Sequence, residues 1–138
     1  MYKFVKIVFV TVQFILLTNC GSISESDKVG NDFYEIIKSK KYEKIEPLLH
    51  PEALTATPIE FWIQGLQENN KNMGDLLVYK RTGFSTNTTN GITTATLKYD
   101  VTYVNGTLFE KIDFINYNNN QYKISHYQFN EDKNKLNQ

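Results

Sequence analysis

The stretch that most constrains this chain runs from Ile92 to Val104. Ala95, Leu97, Tyr99, Val101 and Tyr103 alternate there with Thr94, Thr96, Lys98, Asp100 and Thr102. A period of two puts the first set on one side of a pleated strand and the second on the other, so one face is apolar and one polar. Asn105-Gly106 follows. Both residues tolerate positive φ, which is what a type I′ hairpin turn requires. Thr107 to Tyr117 then returns as a second strand. That turn predicts a register: Tyr103 opposite Leu108, Tyr99 opposite Ile112, Leu97 opposite Phe114, with Val101 and Glu110 the one poor match. A slip of one residue would throw the apolar set onto the wrong face.

Asn118-Asn119-Asn120 reads as the next turn, and Gln121 to Phe129 as the last strand. A three-residue loop would bring Phe114 opposite Ile124. The apolar phase changes between Tyr122/Ile124 and Tyr127/Phe129, which calls for a bulge near Ser125 and His126 or for cover on both faces. Upstream, Leu76 to Arg81 reads as a short strand, and Gly83 to Gly91, dense in Ser, Thr, Asn and Gly, as a loop.

Before the strands the period is helical. Val29, Phe33, Ile36 and Ile37 form a stripe, with Ser24 and Asp27 as a capping box. Lys41 to Leu49 suggests a short second helix, irregular at Pro47 and ended by His50-Pro51. Thr57, Pro58 and Glu60 make the best helix start in the chain, and Phe61, Trp62, Gly65 and Leu66 give that helix a buried side. Its stop is expected within the polar run Asn69 to Asp75. Helices followed by a four-stranded antiparallel meander predict an α+β domain with the helices on one sheet face. A strongly curved sheet would wrap them into a cone.

The N-terminus carries a different message. Met1 to Lys6 holds Lys3 and Lys6 and no acid, and Ile7 to Leu17 is apolar but for Thr11 and Gln13. This is the pattern of an export signal, too short for a transmembrane helix. Leu17-Thr18-Asn19-Cys20 resembles the lipobox of bacterial lipoproteins. In that family the cysteine receives a diacylglycerol thioether and a peptidase cuts just before it; Asn19 departs from the small residue usual there. The resemblance implies a signal peptide over 1–19, a bilayer partner held through acyl chains on Cys20, and a cell-envelope location. Cys20 is the only cysteine, so no intrachain disulfide forms. Residues 20–27 read as a flexible tether, 28–130 as one domain and 131–138 as a frayed tail.

The segment from Ile92 through Leu97, Tyr99, Val101, Tyr103 and Gly106, then Glu110, Ile112 and Phe114, then Gln121-Tyr122-Lys123-Ile124 and Tyr127, resembles the C-terminal half of small lipoproteins of the NTF2-like/cystatin-like superfamily. Phe33-Tyr34, Lys40-Lys41-Tyr42 and Gly74-Asp75-Leu76 extend the likeness. It implies helices packed in a bent sheet, the cone described above, often with a cavity at the open end. It implies no single activity, and no residue here matches the superfamily's catalytic groups.

Fifteen basic and fifteen acidic residues cancel, which gives no field to attract nucleic acid. The run Lys38, Lys40, Lys41 and Lys44 reads as a solvated face, or alternatively as a contact for anionic headgroups. His126 lies among Tyr122, Ile124, Tyr127 and Phe129. Facing inward it would serve as a base or orient a ligand, because imidazole changes charge near neutrality; the plain alternative is a hydrogen-bonded strand histidine. His50, before Pro51, reads as a surface cap. Two isolated histidines do not make a zinc site, and no metal or cofactor motif is present. Asp100 and Asp113 read as outer-face partners for Lys98 and Lys111. Trp62 fits a core, the mouth of a cavity or a partner surface, and Tyr122 and Tyr127 fit a half-buried sheet or a recognition patch. The sequence therefore points to a non-catalytic module that binds an envelope protein or a small ligand. The alternatives are a small enzyme using His126 in a cone-shaped pocket, or a structural accessory.

Overall fold

The computed structural model describes residues 21–118 and 121–137. The expected signal segment 1–19, Cys20 and part of the turn at Asn118-Asn119-Asn120 lie outside the described residues. The chain runs helix α1 (Gly21–Ser39), two 3-10 turns (Tyr42–Lys44 and Glu46–Leu48), α2 (Pro51–Ala56), α3 (Ile59–Met73), strands β1 (Leu76–Thr89), β2 (Ile92–Tyr103), β3 (Gly106–Tyr117) and β4 (Lys123–Asn130), and a last 3-10 turn (Lys133–Asn137). The strands form one antiparallel sheet in the order β1-β2-β3-β4. This is the α+β architecture expected, although the sheet is not strongly curled.

α1 lays Val29, Phe33, Tyr34 and Ile37 on the inner face of the sheet, against Leu97, Tyr99, Ile112 and Phe114. Gly30 lets the helix approach: a Cβ there would stand 2.4 Å from the Tyr99 hydroxyl. The helix also takes in residues 21–27, expected as a flexible tether. Ser26 is buried and Asp27 pairs with Arg81 of β1, so tertiary contacts override a Ser-rich composition. The helix thus passes through Ser24 and Asp27 instead of being capped by them.

The second helix expected over Lys41–Leu49 is replaced by the two 3-10 turns, the second with Pro47 in its first turn. His50 does not close a helix but opens one: its Nδ1 accepts from the Glu52 amide at 3.2 Å, and Pro51 takes the first turn of α2. Just before it, Leu49 bridges Ile124, and the His50 amide donates to the Ile124 carbonyl at 2.8 Å. This covers part of the outer edge of β4, where unpaired backbone groups would otherwise be exposed.

Three expectations about the sheet need correction. β1 does not stop at Arg81. It continues through the Thr-rich stretch to Thr89 and turns at Asn90-Gly91, where φ is 52° and 77°. The β2–β3 hairpin is offset by two residues from the predicted register: Tyr103 pairs with Gly106, Val101 with Leu108, Tyr99 with Glu110 and Leu97 with Ile112. Val104 and Asn105 occupy the turn, tied to the end of α3 by the bonds Val104 N to Asp75 O (3.0 Å) and Asn105 N to Met73 O (2.9 Å). A shift of two keeps each side chain on its face, so the core survives the change. On the outer face, Lys111 now stands opposite Lys98, and Asp100 opposite Phe109. Lys111 therefore does not face Asp100 as expected; it is 3.9 Å from Asp113 on its own strand, and Asp100 meets Lys133 at 3.4 Å.

The bulge is where it was expected. Phe114 pairs with Ile124 and Asp113 with His126, leaving Ser125 as the extra residue. The expected frayed tail, by contrast, is folded. Leu136 is buried, its carbonyl accepts from Gln128 Nε2 at 2.6 Å, and Lys133 lies over the Phe109 ring. One apolar side chain anchors a segment that is otherwise polar. None of the described helices is long and apolar enough to cross a membrane.

Candidate functional site

α3 begins after Pro58 without a side-chain cap; Thr57, expected to cap it, instead closes α2. Leu66 and Asn69, three residues apart, point at the core. Phe61 and Gly65, expected on the buried side, are exposed, Phe61 at 63%. Trp62 is half-buried. Across from this helix, the bulge at Ser125 restores phase, so Tyr127 and Phe129 share the inner side with Ile124. Phe129 remains 47% exposed.

Between α3 and β4 opens a cleft of about 420 Å³, walled by Phe61, Trp62, Leu66 and Asn69 from the helix and by His126, Tyr127 and Phe129 from the strand. A second hollow of about 330 Å³, reaching Met73, Leu108 and Glu131, shares Asn69, Asn72 and Phe129 with it. Tyr127 links the rings, its centroid 6.5 Å from Trp62 and 5.7 Å from Phe129. Three side chains singled out separately in the sequence, Trp62, His126 and Tyr127, thus meet in one place. Tyr122 does not join them; it is buried elsewhere in the core. His126 Nε2 lies 3.2 Å from Gln128 Oε1, and among the described residues no carboxylate is hydrogen-bonded to it.

Behind the cleft sits Glu110, the one poor match of the expected hairpin. Glu110 is 0% exposed. The Tyr34 hydroxyl donates to its Oε2 at 2.9 Å and the Tyr103 hydroxyl to its Oε1 at 2.8 Å. Asn69 of the cleft wall reaches the Tyr103 hydroxyl at 3.5 Å, the limit for a hydrogen bond. The Tyr127 hydroxyl is buried close enough to the carboxylate to favour its charge, but outside good hydrogen-bonding geometry. Burial dominates and pushes the Glu110 pKa up to about 7, against the pull of the tyrosine hydroxyls. Burial also raises Tyr34, Tyr103 and Tyr127, and the nearby carboxylate adds to it, so these phenols stay protonated donors. No ion pair to Glu110 occurs among the described residues. The signal was present in the sequence: Glu110 falls in phase with Leu108, Ile112 and Phe114 on an otherwise apolar face.

Among the described residues no group of His, Cys, Asp and Glu could hold a metal ion. No protein-family model matches the chain, and no curated protein matches it either.

Proposed function

We propose that this is an envelope lipoprotein, anchored through Cys20, whose domain binds a small ligand in the α3–β4 cleft without transforming it. The observation that carries this reading is the concave aromatic wall of α3 and β4, where Phe61 and Phe129 are largely exposed and Trp62 and Tyr127 half-buried. Burying one such ring is worth about 1.5–3 kcal/mol, so an exposed set around a concavity is surface that a ligand would gain by covering. Polar groups at the same wall, Asn69, Asn72 and His126, would orient what enters.

Catalysis through His126 is the weaker reading. A general base needs a partner that fixes its tautomer and ring orientation, and among the described residues the imidazole is hydrogen-bonded to the Gln128 carboxamide and to no carboxylate. Glu110, the carboxyl whose pKa burial raises, is sealed from solvent. Membership of the NTF2-like/cystatin-like superfamily is part of the proposal, supported by the order of helices and meander; with a sheet of modest curl the cavity opens at the side instead of inside a cone.

Trp62 is the only tryptophan, so intrinsic fluorescence reports on the cleft directly. A fragment screen against the full chain should give saturable emission shifts that weaken in Phe129→Ala. A diverse set of fragments that leaves Trp62 emission unmoved would remove the cleft as a binding site. For the anchor, mass spectrometry of parent and Cys20→Ser expressed in a bacterium should find acyl mass on the parent alone.

A further inference from the structure

The charge around the cleft narrows what it would take. The chain carries fifteen Lys and Arg residues, yet none lines either hollow. Both hollows do have a carboxylate: Glu68 at the first and Glu131 at the second. Glu68 is exposed and held by Gln64 Nε2 at 2.9 Å, which orients it without neutralising it. Between the two acids run the aromatic wall and the carboxamides of Asn69 and Asn72. An anion would meet two like charges and no Lys or Arg to offset them, a repulsive arrangement that selects against phosphates and carboxylates. A cation would meet several aromatic rings together with a flanking carboxylate, the combination by which proteins hold alkylated ammonium groups.

We infer that the ligand of the α3–β4 cleft is a small organic cation, an ammonium group carrying alkyl substituents, held by the Trp62, Tyr127 and Phe129 rings with Glu68 as counter-charge. This rests on the cleft reading above and adds the ligand's charge to it. The volume of about 420 Å³ suits a free small molecule. The carboxamides then serve a hydroxyl or other neutral polar tail. Specificity would come as much from what the acids repel as from what the rings attract.

The test uses three probes of nearly one shape: choline, its neutral carbon isostere 3,3-dimethylbutan-1-ol, and the anion 3,3-dimethylbutanoate. Each is titrated against the full chain with Trp62 emission as the readout. Choline is expected to bind about tenfold more tightly than the alcohol, and the anion not at all. Glu68→Gln is expected to weaken choline roughly two- to fivefold while leaving the alcohol unchanged. Glu68 is exposed, so that variant should fold as the parent does. Phe129→Ala should weaken both choline and the alcohol. Equal affinity for choline and the alcohol would overturn the charge inference and leave an apolar cleft in place. Tighter binding of the anion would overturn it outright. No response to any of the three, with none to the wider fragment set, would overturn the cleft reading and this inference with it.

Discussion

The Glu110 centre and the α3–β4 cleft are neighbours built from the same kinds of side chain, and they end differently. Asn69 and Tyr127 belong to both. In the centre, two tyrosine hydroxyls close on one carboxylate and water is shut out. In the cleft, Phe61 and Phe129 stay largely exposed, while Trp62 and Tyr127 are half-buried against the core. A buried polar group is costly until its partners are supplied internally. An exposed ring costs little but leaves transfer energy unused. Tyrosine, glutamate and tryptophan therefore signal structure where they satisfy one another and recognition where they do not. Substitutions in the centre should be read in stability, and those in the cleft in binding.

The sharpest way to break this distinction is Glu110→Ala. It removes the acceptor of Tyr34 and Tyr103 and leaves a hole among them, for an expected loss of about 3–5 kcal/mol. Urea denaturation of parent and variant measures it; a loss under about 1 kcal/mol would show that the centre is not structural.

Next in size is the pH dependence of the same group. In the unfolded chain this carboxyl titrates near 4.5, and in the folded one near 7. A raised carboxyl pKa means that the folded state holds the proton more tightly, so ionisation works against folding. The penalty is absent below about pH 4.5, grows between 4.5 and 7, and is complete above that. It amounts to about 3 kcal/mol. Stability relative to Glu110→Gln should therefore fall from pH 5 to pH 8. Asp75 has the opposite sign, because Lys40 holds its pKa low, but it is exposed and common to both proteins, so it cancels. A flat difference across that range would mean the carboxyl is not desolvated.

These two predictions turn on a residue whose role the sequence only half revealed, and the reason is physical. Alternation fixed the face on which Glu110 lies but not its partners, because period two is silent about which residue on the next strand stands opposite. The two Asn-Gly dipeptides make the same point. Asn90-Gly91 forms the tight turn with both φ values positive, yet it looked like the end of a loop, since Ser85 to Thr89 has no apolar alternation to mark a strand exposed on both sides. Asn105-Gly106 looked like the ideal turn, yet hydrogen bonds from the end of α3 moved the turn one residue back. Gly74 (φ 77°) makes room for that contact, because a Cβ there would stand 2.9 Å from the Val104 Cβ. Such long-range fixings leave no local trace. The bulge at Ser125 was legible because it broke the phase of an apolar pattern. The cleft was legible residue by residue, in Trp62, His126 and Tyr127, but not as a place, since α3 and β4 lie far apart in the chain.

The boundary between the regions can be probed with two hydroxyls. Tyr103→Phe removes a hydrogen bond to the carboxylate and should cost about 1.5–3 kcal/mol. Tyr127→Phe removes a buried hydroxyl without a hydrogen-bond partner and should cost under about 0.5 kcal/mol. Parallel denaturation of the two variants checks the ratio. Equal losses would place Tyr127 wholly in the polar centre and shrink the cleft to its outer rings.

The smallest expected effect on stability is Phe61→Ala. At 63% exposure this ring has little burial to lose, so the unfolding free energy should stay within about 0.5 kcal/mol of the parent. Its removal should still change Trp62 emission on ligand addition, because it takes away one side of the cleft mouth. A change in binding without a change in stability is what a recognition surface gives. A loss of 2 kcal/mol or more would instead mean that Phe61 packs as core in solution. The aromatic wall would then be the outer layer of the same core that holds Glu110, and the separation between the two regions would fail at its most exposed residue.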